Sequence, residues 1–252
     1  MRISPLAAAP RILAGCVTLL AAVTTASAQD VPAPLAPPAP AMEEVAPGKF
    51  RIGKLILEKE TKSVTFPGKV NMDKGLLEYL LTGPKGSTHE TLLVTEIAPS
   101  DLHMAMLLLG AKGAGLRAPA PGDKPPEQIT DEYLKTAPQP AGDKIFITVK
   151  WKKDGKETIT PVEDWLRNTE TAKPAERGPW IYTGSMFVGE RFLAQTEQSF
   201  AALVTYPPAL INNPRKGNTN DAVWEVNEKA VAPVDTPLEI TIRLDPAPPA
   251  KP

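Results

Sequence analysis

Apolar and polar positions alternate most cleanly in "LEITIRL", where Leu238, Ile240, Ile242 and Leu244 share one face and Glu239, Thr241 and Arg243 the other. Such a period of two predicts a half-buried strand. "KIFITVKWKKDGKETIT" (Lys144 to Thr160) alternates on both sides of Asp154–Gly155, the dipeptide of a type I′ hairpin turn. Its lysines suit a solvated tip and strand edge. "TPVEDWLRN" carries Thr160 and Glu163 as a capping box and Pro161 at a first helical position, which predicts a short helix with Trp165 in the core. "APSDLHMAMLLLG" predicts a longer helix, started by Pro99 and Asp101, stopped by Gly110, and apolar nearly all round, hence buried. "FRIGKLILEK", "KSVTFPG", "GLLEYLLTG", "WIYTGSMFVGERFLA" and "SFAALVTY" read as strands. "GSTHETLLV" reads as the strand returning from "LLEYLLTG" in a hairpin. The fold class expected is α+β: a mostly antiparallel β-sheet with one buried helix and one short capped helix.

The N-terminus reads differently. "MRISPLAAAPR" is basic, "ILAGCVTLLAAVTT" is apolar over 14 residues, and "ASAQD" presents Ala26 and Ala28 at a cleavage site. This is a secretory signal peptide over residues 1–28. It is too short for a transmembrane span, which takes roughly 20 apolar residues. "LAGC" would place a lipid anchor on Cys16, but Arg11 stands too near it for a full apolar region, so cleavage after Ala28 is the better reading. Residues 29–48 hold six prolines and form an extended spacer. A single domain is expected over 49–245, with a proline-rich insertion at 111–143 whose composition suits disorder, and a disordered tail at 246–252. An exported protein, periplasmic or extracellular, follows.

Composition then removes function classes. Cys16 is the only cysteine and falls in the leader, so the mature chain has no disulfide, Cys-ligated metal or thiol nucleophile. Removing Arg2 and Arg11 from the 28 basic residues leaves 26 against 29 acidic ones. With no basic stripe, nucleic acid is not an expected partner. No G-x-S-x-G elbow exists, and "GAKGAG" follows a helix rather than a strand, so it is no phosphate loop.

Two polar constellations remain. "THETLLVTEIAPSDLHM" holds both histidines, and His89, Glu90 and His103 could ligate a divalent metal, with hydrolysis as the chemistry it would support. Adjacent strand residues point to opposite faces. His89 and Glu90 therefore converge only if they precede the strand; otherwise both are structural. "PPALINNPRKGNTNDAVWEVN" gathers Asn212, Asn213, Asn218, Asp221 and Trp224, which would suit calcium or a glycan. The plainer alternative is an ordered turn of self-bonding Asn and Asp with Trp224 in the core.

"FPGKVNMDKGLLEYLLTGPKGSTHETLLVTEIAPSDLHMAMLLLG" (Phe66 to Gly110) resembles the core of the YdjY-domain family of exported bacterial proteins. "GPWIYTGSMFVGERFLAQTEQSFAALVTYPPALINNPRKGNTNDAVWEVN" (Gly178 to Asn227) resembles that family's second block. The resemblance implies one domain, with "HET", "DLH" and the asparagine loop as family-like stations and the proline-rich stretch as an insertion. It brings no established activity. A ferredoxin-like label given to some members does not suit a mature chain without cysteine. The function expected is an exported, non-catalytic binding module whose partner is an envelope protein or a glycan, with no cofactor.

Overall fold

The computed structural model describes residues 42–113 and 139–245. The leader, most of the insertion and the tail lie outside the described residues. The chain opens with a meander of β1 (Met42–Ala46), β2 (Lys49–Ile52) and β3 (Leu55–Glu58), followed by the longer β4 (Ser63–Val70). Strand β1 falls inside the stretch read as spacer. Next come β5 (Tyr79–Thr82), β6 (Thr91–Val94) and helix α1 (Pro99–Leu108). The hairpin of β7 (Asp143–Lys153) and β8 (Lys156–Pro161) follows, with Asp154 and Gly155 at φ 50° and 78° in its turn. Then come β9 (Leu166–Asn168), β10 (Lys173–Pro174), β11 (Trp180–Tyr182), and the ribbon of β12 (Phe187–Val188) and β13 (Arg191–Phe192). Helix α2 (Leu193–Glu197), β14 (Ser199–Ala202), β15 (Ile211–Asn212), β16 (Trp224–Val226) and β17 (Pro237–Leu244) complete the chain.

The sheet does not stay open. Eight strands run β4-β17-β7-β11-β15-β14-β5-β6, and β6 pairs back onto β4 through Lys69↔Val94 and Val70↔Leu93. The result is a closed barrel of mixed direction, where an antiparallel sheet was expected. Two pairs are parallel, β5 with β6 and β14 with β15. "LLEYLLTG" and "GSTHETLLV" are therefore not a hairpin. A crossover of residues 83–90 carries the chain back along β5, so that Tyr79 lies beside Thr91. Parallel neighbours ordinarily need a dozen or more connecting residues. Here the strands are four residues each, so a short return suffices.

The alternation predicted for β17 is observed. Ile240 stands between Phe66 of β4 and Val149 of β7, and Ile242 between Val64 and Ile147, all buried. On the outer face Thr65 and Thr241 share a hydroxyl hydrogen bond of 3.0 Å. Burying such a row of aliphatic side chains contributes about 1.5–3 kcal/mol each, which makes this three-strand block the centre of the core.

Both helix expectations need correction. Helix α1 starts at Pro99 as predicted, but only Leu102, Ala105 and Met106 sit deep in the core, while Leu107 and Leu108 face outward. The capped helix after β8 is a single 3-10 turn, Val162–Trp165, with Pro161 at its cap and no side-chain capping bond. Glu163, expected to cap, is drawn into the protein by groups far along the chain. Trp165 is in the core as expected. Helix α2 and the β12–β13 ribbon replace much of the strand expected from "MFVGERFLA".

Candidate functional site

The turn that carries His89 and Glu90 is a 3-10 turn, Thr88–Glu90, just before β6. Outside the strand the two side chains can converge, and His89 Nε2 lies 3.6 Å from Glu90 Oε2. The imidazole is 79% exposed. Across the parallel pair, Glu78 N donates to Glu90 O at 3.0 Å, which aligns the two glutamates. Burial first, and the charges of Glu90 and Asp221 next, hold the Glu78 carboxyl above the usual glutamate value, while His89 pulls the other way. The nearness of the Glu90 carboxyl adds to the rise, so burial and neighbouring negative charge together favour the neutral form of Glu78.

His103 belongs to a different environment. It lies on α1, with Nδ1 2.7 Å from the hydroxyl of buried Tyr182 and its ring 4.9 Å from that of Phe192. Burial lowers its pKa, which favours the neutral imidazole. Neutral Nδ1 can then accept from the tyrosine, whose O–H would otherwise be buried without a partner. Among the described residues, no three His, Asp or Glu side chains are placed to hold one metal ion. The structure joins His89 to Glu90 and leaves His103 out of that pair.

The amides of Asn212, Asn213 and Asn218 are buried, while Lys216 and residues 219–222 are exposed. Asn212 accepts from Tyr206 N at 2.7 Å and donates to Thr183 Oγ1 at 3.0 Å. Asn213 donates to Leu203 O and accepts from both the backbone N–H and Nη1 of Arg215, all at 3.1 Å. Asn218 donates to Asn213 O at 2.8 Å. These amides bond to the fold itself, as the ordered-turn reading requires. Trp224 is buried and its Nε1 has no partner, while Asp221 is exposed.

The sequence reading missed the most elaborate polar group in the protein. Glu163 Oε1 accepts from both Trp180 Nε1 and Arg215 Nη2 at 2.8 Å. Arg215 also donates to Glu176 O at 2.6 Å and Gly178 O at 2.9 Å, and its guanidinium lies over the Trp180 ring. Its side chain is only 11% exposed and that of Glu163 only 4%. Burial lowers the arginine's pKa, and the facing carboxylate opposes the drop. The only sequence signal was the Thr160–Glu163 spacing, which has a local explanation. The partner lies 52 positions away. With every contact internal, the pair ties the 3-10 turn to the asparagine loop.

On the outside, β4 changes partners along one edge. It pairs with β3 through Ser63–Thr65 and with β6 through Lys69–Val70. The residues between, including Pro67 with no N–H to offer, meet no strand there. A groove of about 420 Å³ opens at this break, bordered by Pro67, Gly68, Val94 and Thr95. The ion pairs Lys54–Glu96, at 2.5 Å, and Lys69–Asp235, at 2.6 Å, stand at its rim.

No described helix is long and apolar enough to cross a membrane. No curated protein and no solved structure matches the sequence. The family model of the YdjY domain matches residues 55–243, which runs from the start of β3 to the penultimate residue of β17 and takes in the His89–Glu90 turn, the Glu163–Arg215 pair and the asparagine loop. With well over half of its 252 residues matched, the chain belongs to the YdjY-domain family.

Proposed function

We propose that this protein is an exported, non-catalytic binding module that meets an envelope protein with the outer surface of its barrel. One observation carries the proposal: the amides of Asn212, Asn213 and Asn218 are spent inside the fold, as are Glu163 and Arg215. The polar groups best suited to hold a small ligand are thus committed to structure. Large buried side chains such as Phe66, Trp180 and Tyr182 occupy the inward positions of the barrel strands. What remains for recognition is the exterior, including exposed Leu107, Ile159 and Phe187.

Photo-crosslinking residues placed singly at Leu107, Ile159 and Phe187, in cells exporting the full chain, test this. A discrete adduct from at least one position supports the proposal; none from any position overturns it. A mature N-terminus at Gln29, read by mass spectrometry, checks the export route.

A second reading, a divalent cation on His89 and Glu90, has the 3.6 Å approach and the neighbouring Glu78 in its favour. Metal analysis of the purified mature protein decides it. Stoichiometric metal lost in both His89→Ala and Glu90→Ala would establish a metal site and displace the first reading.

A further inference from the structure

Among the described residues the sheet has two free edges, β1 and β8. Strand β8 bonds there only to β7, and no described strand lies on its other side. Ile159, opposite Lys150, is 68% exposed, the highest value among the large apolar residues described. At the end of the hairpin Lys153 stands directly opposite Lys156. Like charges in that relation repel and weaken the ladder. Lys150 is paired with Glu239 at 2.8 Å, but Lys152, Lys153 and Lys156 form no ion pair among the described residues. From Lys150 to Pro161 the chain carries four lysines against Asp154 and Glu157 alone.

Lysines on an open edge deter pairing with another basic strand. The same charges admit an acidic one, and an acidic strand would relieve the Lys153–Lys156 repulsion. Main-chain bonds supply affinity in such strand addition, and side chains supply selectivity. We propose that the β8 edge of this protein receives an extended acidic peptide as an added strand, with an apolar residue of the peptide set on Ile159. This rests on the binding-module reading and names the class of partner.

The test uses the purified mature protein and a fluorescent peptide of alternating glutamate and valine, followed by anisotropy. Saturable binding is expected. It should weaken about tenfold in Lys153→Glu/Lys156→Glu, and also as salt is raised. A peptide of the same charge built of Glu-Pro-Pro repeats should not bind, because neither of its edges offers the run of N–H groups a strand must present. Circular dichroism and melting confirm that the variant is folded, and Ile159→Thr, which keeps every charge, should weaken binding on its own.

Equal binding of the proline peptide would reduce the effect to simple charge attraction and overturn strand addition. Unchanged binding by the charge-reversed variant would overturn the site. Sedimentation showing self-association that Glu43→Lys/Glu44→Lys abolishes would assign the edge to β1 of a second copy instead. Crosslinked adducts in the envelope without peptide binding would sink this inference and leave the broader reading standing. The absence of both would end the two together.

Discussion

Two polar regions looked alike along the chain and behave oppositely in the fold. Around Arg215 the polar groups are buried and each meets a partner. At the turn of His89 and Glu90 they sit near solvent, and the adjoining Glu78 carboxyl is held above its ordinary value. The first region derives its rigidity from being dry: a buried ion pair is costly to desolvate, and is retained only where geometry and extra hydrogen bonds offset that cost. The second is partly open to water. The same residue types thus act as framework in one place and as adjustable surface in the other, and burial is the variable that separates them.

The comparison breaks most visibly at Arg215. Arg215→Ala leaves Glu163 buried without its opposite charge, with only Trp180 Nε1 still donating to it, and should cost about 3–5 kcal/mol in urea unfolding. Replacing Glu163 and Arg215 together by leucine and methionine should restore much of that loss; if it does not, the network beyond the pair matters more than the pair. Asn213→Ala, which strands Leu203 O and removes the acceptor of Arg215, should cost about 2 kcal/mol by the same measurement.

The turn should respond to pH rather than to truncation. Glu78 is held above its ordinary value, so the folded chain keeps this proton more tightly than the unfolded one. The resulting stabilisation is complete below the unfolded pKa and is lost as pH rises through the folded one. Glu78→Gln stays neutral throughout. It should therefore gain on the native protein as pH rises through that window, by about 0.5 kcal/mol, and converge with it in acid. Urea midpoints across a pH series check this, and a constant difference would remove the raised Glu78 value. The smallest effect belongs to His89→Ala, which should stay within about 0.5 kcal/mol because the side chain is mostly in water.

Much of the strand content was legible because it is local. The alternation of Leu238 to Leu244, the Asp154–Gly155 turn, and the start and stop of α1 are written in neighbouring residues. Closure of the barrel was not, because it depends on the pairing of Lys69 and Val70 with Leu93 and Val94. The parallel course of β5 and β6 was hidden by a link short enough to read as a hairpin loop. Glu163 shows the limit most clearly: its capping pattern was real as sequence, yet Trp180 and Arg215 offered two strong donors that a local cap could not match. At the site, the position of His89 before the strand was the open question, and its place in the 3-10 turn answers it. The asparagines read as ligands or, more plainly, as scaffold, and their burial bears out the scaffold role for Asn212, Asn213 and Asn218.

One small feature bears on how this protein can change over time. Gly113 bridges to Gly142, and Lys112 and Asp143 exchange hydrogen bonds beside them. A Cβ on either glycine would collide with the backbone of Tyr182 or Thr183, so the staple depends on both. Residues 113 and 142 thus stand side by side at the barrel wall. Doubling the length of such a closed excursion costs only about 0.6 kcal/mol of chain entropy. The barrel therefore carries a cassette position, where sequence can be lengthened, shortened or exchanged while the two glycines shield the rest of the fold from the experiment.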